Sequence, residues 1–258
     1  MNDKAINRGL GWKPDLPDVR DRIYRPPQML GLLAPQLPAV VDLRPKCGPV
    51  RDQGSLGACT GFAIASALAH LHHDDGDKFA AHDLSPLFIY YQERKLEGTI
   101  SEDSGAYIRD GIKVVASDGA PHEKRWPYII KRYRWKPSVA AYRDAAKNLV
   151  GTYMRLSTLT DMRQCLADGF PFVFGFTVYP DLFSSAVARS GILPLPNGSN
   201  APLGGHAVLA VGYDDQSQRF LVQNSWGDDW GQQGFFQMPY AYLASRSLSD
   251  DFWTVRAG

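Results

Sequence analysis

The chain has 258 residues, enough for one large domain or two lobes that bury roughly 70–75% of the unfolded surface. Its 28 Lys and Arg against 27 Asp and Glu give a formal net charge of +1, so no whole-molecule field directs it to nucleic acid or an anionic membrane. Three cysteines, Cys47, Cys59 and Cys165, are too few for a disulfide scaffold.

The first ten residues lack the apolar centre of a secretory signal, and no apolar run approaches the roughly 20 residues of a membrane span. The expectation is a cytoplasmic or non-classically exported protein with no membrane partner. Residues 1–38 carry Pro14, Pro17, Pro26, Pro27, Pro35 and Pro38, with charges interleaved. Proline at this frequency forbids helix and favours extended chain. Such an arm has no core of its own, but Trp12, Leu16, Ile23 and Tyr24 offer anchors to a surface.

The glycine-punctuated loop Gln53-Gly54-Ser55-Leu56-Gly57-Ala58 then feeds a helix that begins at Cys59 and is apolar nearly all round as far as Leu71, a buried helix. A thiol on a helix's first turn is expected to ionise more readily, because the positive end of the helix lowers its pKa. The following His70-Leu71-His72-His73-Asp74-Asp75-Gly76-Asp77 reads as ordinary helix termination rather than a metal site. Ser85 caps a predicted helix from Pro86 to Leu96, and further helices are predicted over 105–117 and 138–148.

Between Glu123 and Lys136, six Lys and Arg alternate with Trp126, Tyr128, Tyr133 and Trp135, a composition that suits an anionic or nucleotide ligand, or a solvated loop whose aromatics pack inward. Strands follow: residues 171–178 and the runs opening at His206, Phe220 and Phe235, separated by turn signals. Helices first and strands later imply a segregated α+β protein.

Gln53, Cys59, His206 and Asn224 form the set that carries chemistry. A cysteine nucleophile needs a base, the base needs an orienting partner, and an amide N–H₂ can donate to an oxyanion. In that order, and with Asn224-Ser225-Trp226-Gly227 at the end of a strand, the set resembles a papain-like cysteine peptidase. The resemblance runs from about Leu37 onward. It includes Val41-Asp42-Leu43-Arg44, Ser104-Gly105, Arg125-Trp126-Pro127-Tyr128 and Ala188-Arg189-Ser190-Gly191-Ile192.

The resemblance implies a two-lobe fold, with a helical lobe over about 39–136, a β-barrel-like lobe over about 137–258, and the active site in the cleft between them. It implies peptide-bond hydrolysis through a Cys59 thiolate and His206, with Asn224 fixing the imidazole, Gln53 holding the oxyanion, and no cofactor. Trp226 would shield the His206 and Asn224 pair, and Ser104-Gly105 would pair with an extended peptide or protein substrate. Gly175 and Gly205, with Tyr107 nearby, would line a roomy pocket for a bulky apolar or aromatic side chain.

Three departures stand out. Leu56 occupies a position where secreted members carry a disulfide cysteine, Thr60 replaces the tryptophan common after the nucleophile, and Gly205 replaces the usual Asn or Asp before the histidine. Residues 1–38 are then either a surface-wrapping arm or an inhibitory propeptide lying in or near the cleft. Rival readings are a transglutaminase-like acyltransferase, for which Asn224 is the wrong third residue, and a non-catalytic binding module, which would not retain both Cys59 and His206.

Overall fold

A computed structural model describes residues 8–25, 36–74 and 84–256. Strand β1 (Trp12–Lys13) belongs to the arm, and β2 (Val40–Asp42) follows it. The helical part comprises α1 (Cys59–Asp74), α2 (Pro86–Leu96), α3 (Ile108–Ser117) and α4 (Val139–Ala145), with the short strand β3 (Ala106–Tyr107) before α3. The strand-rich part contains β4 (Thr152–Arg155), α5 (Leu159–Ala167), β5 (Phe172–Val178), α6 (Ser185–Ser190), β6 (Gly204–Asp214), β7 (Arg219–Gln223), β8 (Phe235–Pro239), α7 (Tyr240–Ala244) and β9 (Ser249–Arg256).

The predicted helices form where local chemistry favours them. Ser85 accepts from the Phe88 N–H, with Pro86 as the first residue of α2, and Ser138 accepts from Ala141 at the start of α4. The predicted helix over 105–117 begins three residues later, because residues 106–107 are taken into a strand pair with β1. Helix α5 escaped the sequence reading although Thr158 and Asp161 form a reciprocal capping box at its start.

A seven-stranded antiparallel sheet has the order β4-β9-β5-β6-β7-β8, with β2 also pairing β6. It is open at β4 and β8 rather than closed into a barrel. Strands β5 and β6 read as continuous apolar runs because both sheet faces are covered. Phe172, Phe174, Phe176 and Val208 enter one core with Trp226 and Trp230, while Val173, Ala207, Leu209 and Val211 face a second core with Ile64, Leu68 and Ile112 of the helices. That second core joins the two lobes and seats α1 against β6. Among the described residues no helix is long and apolar enough to cross a membrane.

Candidate active site

Cys59 is the first residue of α1 and is fully buried. Its thiol receives backbone N–H groups of Ala207, Gly11 and Thr60. Ala207 follows His206, so the packing of α1 on β6 sets the thiol beside the imidazole's strand. Strand β7 pairs with β6 in a register that sets Leu209 opposite Gln223, and Asn224 lies just past its end. There Asn224 Oδ1 meets His206 Nε2 at 2.9 Å. The other ring nitrogen, Nδ1, is buried without a hydrogen-bond partner. Trp226 covers the pair, its ring centroid 5.1 Å from that of His206, and is itself stacked by Phe183 at 5.2 Å.

Gln53 is held from two sides. Its Oε1 accepts from Ser225 Oγ, a contact that the sequence reading missed and that fixes the amide's orientation. Its Nε2 donates to Leu56 O and to Gly9 O, both at 2.9 Å. The second acceptor belongs to the arm.

Arm residues 8–15 run through the site. Arg8 pairs with Asp52 and donates to Trp226 O, the Gly9 N–H donates to Gly54 O at 3.0 Å, and Gly11 O accepts from the Ala106 N–H at 2.7 Å. Strand β1 then pairs with β3 in parallel. At the neighbouring Gly105, the N–H donates to Tyr90 Oη and the carbonyl oxygen accepts from the Ser104 hydroxyl. Tyr107 lies under the Lys13 ammonium, 4.7 Å from its ring centroid.

Trp12 packs against Gly175 and Gly205, the two glycines expected to line a pocket. A Cβ on Gly175 would stand 1.9 Å from the Trp12 ring, and one on Gly205 would stand 2.4 Å from Trp12 O. Of the four apolar anchors read from the arm, Trp12 and Tyr24 are buried while Leu16 and Ile23 are exposed.

Under the arm, the thiol is not the ready thiolate expected from its helix position. Burial pushes Cys59 up to about 12 despite the three backbone N–H groups. Burial likewise pushes the His206 imidazole down to about 4, against the opposing hydrogen bond with Asn224. Both groups are therefore neutral near pH 7 while the arm is docked. Next to Cys59, Thr60 Oγ1 donates to Glu93 Oε2 at 2.7 Å, and burial raises that carboxyl to about 8.

The remaining candidates separate. Most aromatics of the 123–136 stretch are engaged by protein groups: Trp126 is buried, Tyr128 Oη donates to Gln53 O at 2.7 Å, and Arg94 lies over Tyr133. Trp135 is exposed, with Arg132 over its ring. Cys47 and Cys165 are unbridged packed thiols. His70 meets Gly169 O at 2.9 Å, and the side chains of residues 72–83, the rest of the histidine and acid cluster, lie outside those described. Among the described residues no cluster of three or more His, Cys, Asp or Glu is arranged to hold a metal.

Residues 37–245 match the family model described as Papain family cysteine protease. An uncharacterized peptidase C1-like protein of Acanthamoeba polyphaga mimivirus is 36% identical over 99% of this chain and 89% of its own length. Xylellain, a cysteine protease from Xylella fastidiosa, is 40% identical, with a TM-score of 0.89 over 98% of this chain and 97% of that one. Thiol protease aleurain of Arabidopsis thaliana is 28% identical over 74% of this chain, which spans 52% of its length. Procathepsin L 3 from Tenebrio molitor shares the fold at a TM-score of 0.70 over 98% of this chain and 77% of that one, with 17% identity.

Proposed function

Because the chain belongs to the papain family of cysteine proteases, we propose that it is an endopeptidase acting through Cys59 and His206 and held latent by its own residues 8–25. The observation that carries this reading is the arm's occupation of the catalytic groups. Gln53 Nε2 binds Gly9 O, the Gly11 N–H faces the Cys59 thiol, and Trp12 fills the pocket at Gly175 and Gly205.

Once the arm leaves, water reaches the thiol and imidazole, and the desolvation that keeps both neutral is relieved. The proton passes from Cys59 Sγ to the imidazole, whose Asn224 hydrogen bond supports the cation. The thiolate then attacks the peptide carbonyl carbon. The carbonyl oxygen becomes an oxyanion held by Gln53 Nε2 and the Cys59 backbone N–H. His206 returns the proton to the leaving amine as the C–N bond breaks, leaving a thioester on Cys59. Water, deprotonated by His206, hydrolyses it to the acid and regenerates the thiol. Trp226 keeps bulk water from the His206 and Asn224 hydrogen bond throughout.

Reaction of Cys59 with a thiolate-directed epoxide, followed by peptide mass mapping, tests this directly. The protein is folded whole, with a site-specific protease sequence inserted after Pro35, and labelled before and after the cut. The reading predicts slow labelling before the cut and fast labelling at Cys59 after it and dilution. Equal labelling before and after would remove the latency, and no labelling in either form would remove the nucleophile.

A further inference from the structure

Beyond Trp12 the arm leaves the catalytic groups and takes a second seat at the edge of the sheet. Strand β4 gives one edge to β9 and the other, at Arg155, to the arm. The Arg155 N–H donates to Arg22 O at 2.7 Å, and the Tyr24 N–H donates to Arg155 O at 2.8 Å. Two side chains of this segment are also gripped by the body. Asp21 lies between two guanidinium groups: Arg109 holds it through Nε at 3.0 Å and Nη2 at 2.7 Å, and Arg155 Nη1 stands 3.2 Å away. Tyr24 joins the core that holds Leu156, Met162 and Cys165. Its hydroxyl donates to Asp168 Oδ2 at 2.7 Å, while Gln164 Nε2 holds the other oxygen of that carboxylate at 2.8 Å. Arg22 and Ile23, between the two gripped residues, are exposed.

The two cations differ in what they keep when the arm departs. Arg155 also donates to Asp250 Oδ1 and Asp251 Oδ1, at 2.9 Å each, so it stays paired. Among the described residues, every hydrogen bond of the Arg109 side chain goes to the arm, to Asp21 and to Leu16 O. Arg109 stays over the Trp253 ring, 5.9 Å from its centroid. The vacated seat is therefore a strand edge with an open N–H and C=O at Arg155, a guanidinium that has lost its carboxylate, and a tyrosine-sized hollow ending on Asp168.

We propose that this seat is an exosite of the released peptidase, which captures an extended Asp-x-x-Tyr segment of a protein substrate while another part of the same chain is cut in the cleft. The proposal rests on the endopeptidase reading given above. Strand addition at Arg155 sets the register, and the side-chain contacts select the first and fourth residues. The Arg109 fork matches a carboxylate and not an amide. Asp168 accepts from a tyrosine hydroxyl, finds no donor on phenylalanine and repels a phosphotyrosine. The chain from Lys13 to Asp21 spans at most about 28 Å, so seat and cleft lie within reach of one substrate chain.

The test uses the protein folded whole, cut after Pro35 and freed of its arm by size exclusion. Two quenched fluorogenic peptides share one scissile sequence and one Gly/Ser linker of about 25 residues, whose mean span is about 28 Å. One begins with Asp-Arg-Ile-Tyr-Arg, the sequence of residues 21–25, and the other with Asn-Arg-Ile-Phe-Arg. Product masses confirm cleavage at the shared bond. The expected KM is about tenfold lower for the first peptide with kcat the same, because the tether adds binding that is equal in the ground and transition states. Free Asp-Arg-Ile-Tyr-Arg raises the KM of the first peptide alone. In Arg109→Gln the ratio of the two kcat/KM values falls to near one, a ratio that partial loss of folded protein does not change. Equal kcat/KM for the two peptides, or a free pentapeptide that slows both alike, would overturn the exosite while leaving the peptidase intact. No hydrolysis of either peptide overturns the endopeptidase reading and the exosite with it.

Discussion

The amide of Gln53 donates to the carbonyl oxygen of Gly9 at 2.9 Å, through the Nε2 group that the proposed mechanism assigns to a substrate's oxyanion. Ser225 Oγ fixes the amide's orientation from the opposite end. Replacing Gln53 with Ala therefore removes one donor from the reaction and one tether from the arm. In the cut protein, Gln53→Ala is expected to lower kcat by about 10²–10³, with a smaller change in KM. Steady-state kinetics on a single peptide separates the two parameters.

Trp12 is the arm's largest buried anchor, 8% exposed and bonded to Asp251. Truncating an indole in such a site costs about 3–5 kcal/mol, more than a hundredfold in the docking equilibrium. Full-length Trp12→Ala is expected to hydrolyse peptides well above the basal rate of the uncut parent, without any cleavage of the chain. An intact mass measured beside the rate excludes processing as the cause.

The candidate set was legible because each member sits at a local signal: a glycine loop entering a helix for Cys59, strand ends for His206 and Asn224, and flanking motifs in order. The α+β architecture was legible for the same reason, as Ser85 with Pro86 and the apolar runs of β5 and β6 are local features. What was not legible depends on contacts across hundreds of residues. Nothing around Asp251 announces that β9 carries a bulge there, or that Trp12, 239 positions away, ends on its carboxylate. The lowered pKa expected for Cys59 rested on a local effect, the helix dipole, whereas burial under the arm moves the thiol in the other direction. Helix α5 is a different case, since its Thr158 and Asp161 capping box was present in the sequence.

Arm docking should depend on pH through Asp15. Burial, and then the neighbouring Asp251 carboxylate, raise Asp15 from 3.8 to about 7 in the docked arm, against the opposing Trp253 hydrogen bond and Arg109. A carboxyl whose docked pKa exceeds its free value favours docking most where it is protonated in both states, below about 4. That contribution is lost as pH rises toward about 7. Burial raises Asp251 as well. The arm of the cut Cys59→Ala protein is therefore expected to dissociate more readily at pH 7.5 than at pH 4.5, and Asp15→Asn should flatten the difference. Size-exclusion separation of arm from body after dilution at each pH measures it.

A side chain on Gly175 tests whether the arm and the substrate use one pocket. Its Cβ would stand 1.9 Å from the Trp12 ring. In full-length Gly175→Val the indole is expelled, so peptides with small side chains are expected to be cleaved faster than by the uncut parent. Peptides with bulky aromatic side chains are expected to be cleaved more slowly than by the cut parent. Both shifts appear in one rate matrix of three proteins and two peptides.

The most direct measurement is hydrolysis of a bulky-residue fluorogenic peptide by the protein folded whole, before and after a single cut following Pro35, each beside its Cys59→Ala control. The account predicts a low rate before the cut, a large rise after the cut and dilution, and no activity in either control. Equal rates before and after the cut, or activity that survives Cys59→Ala, would contradict it.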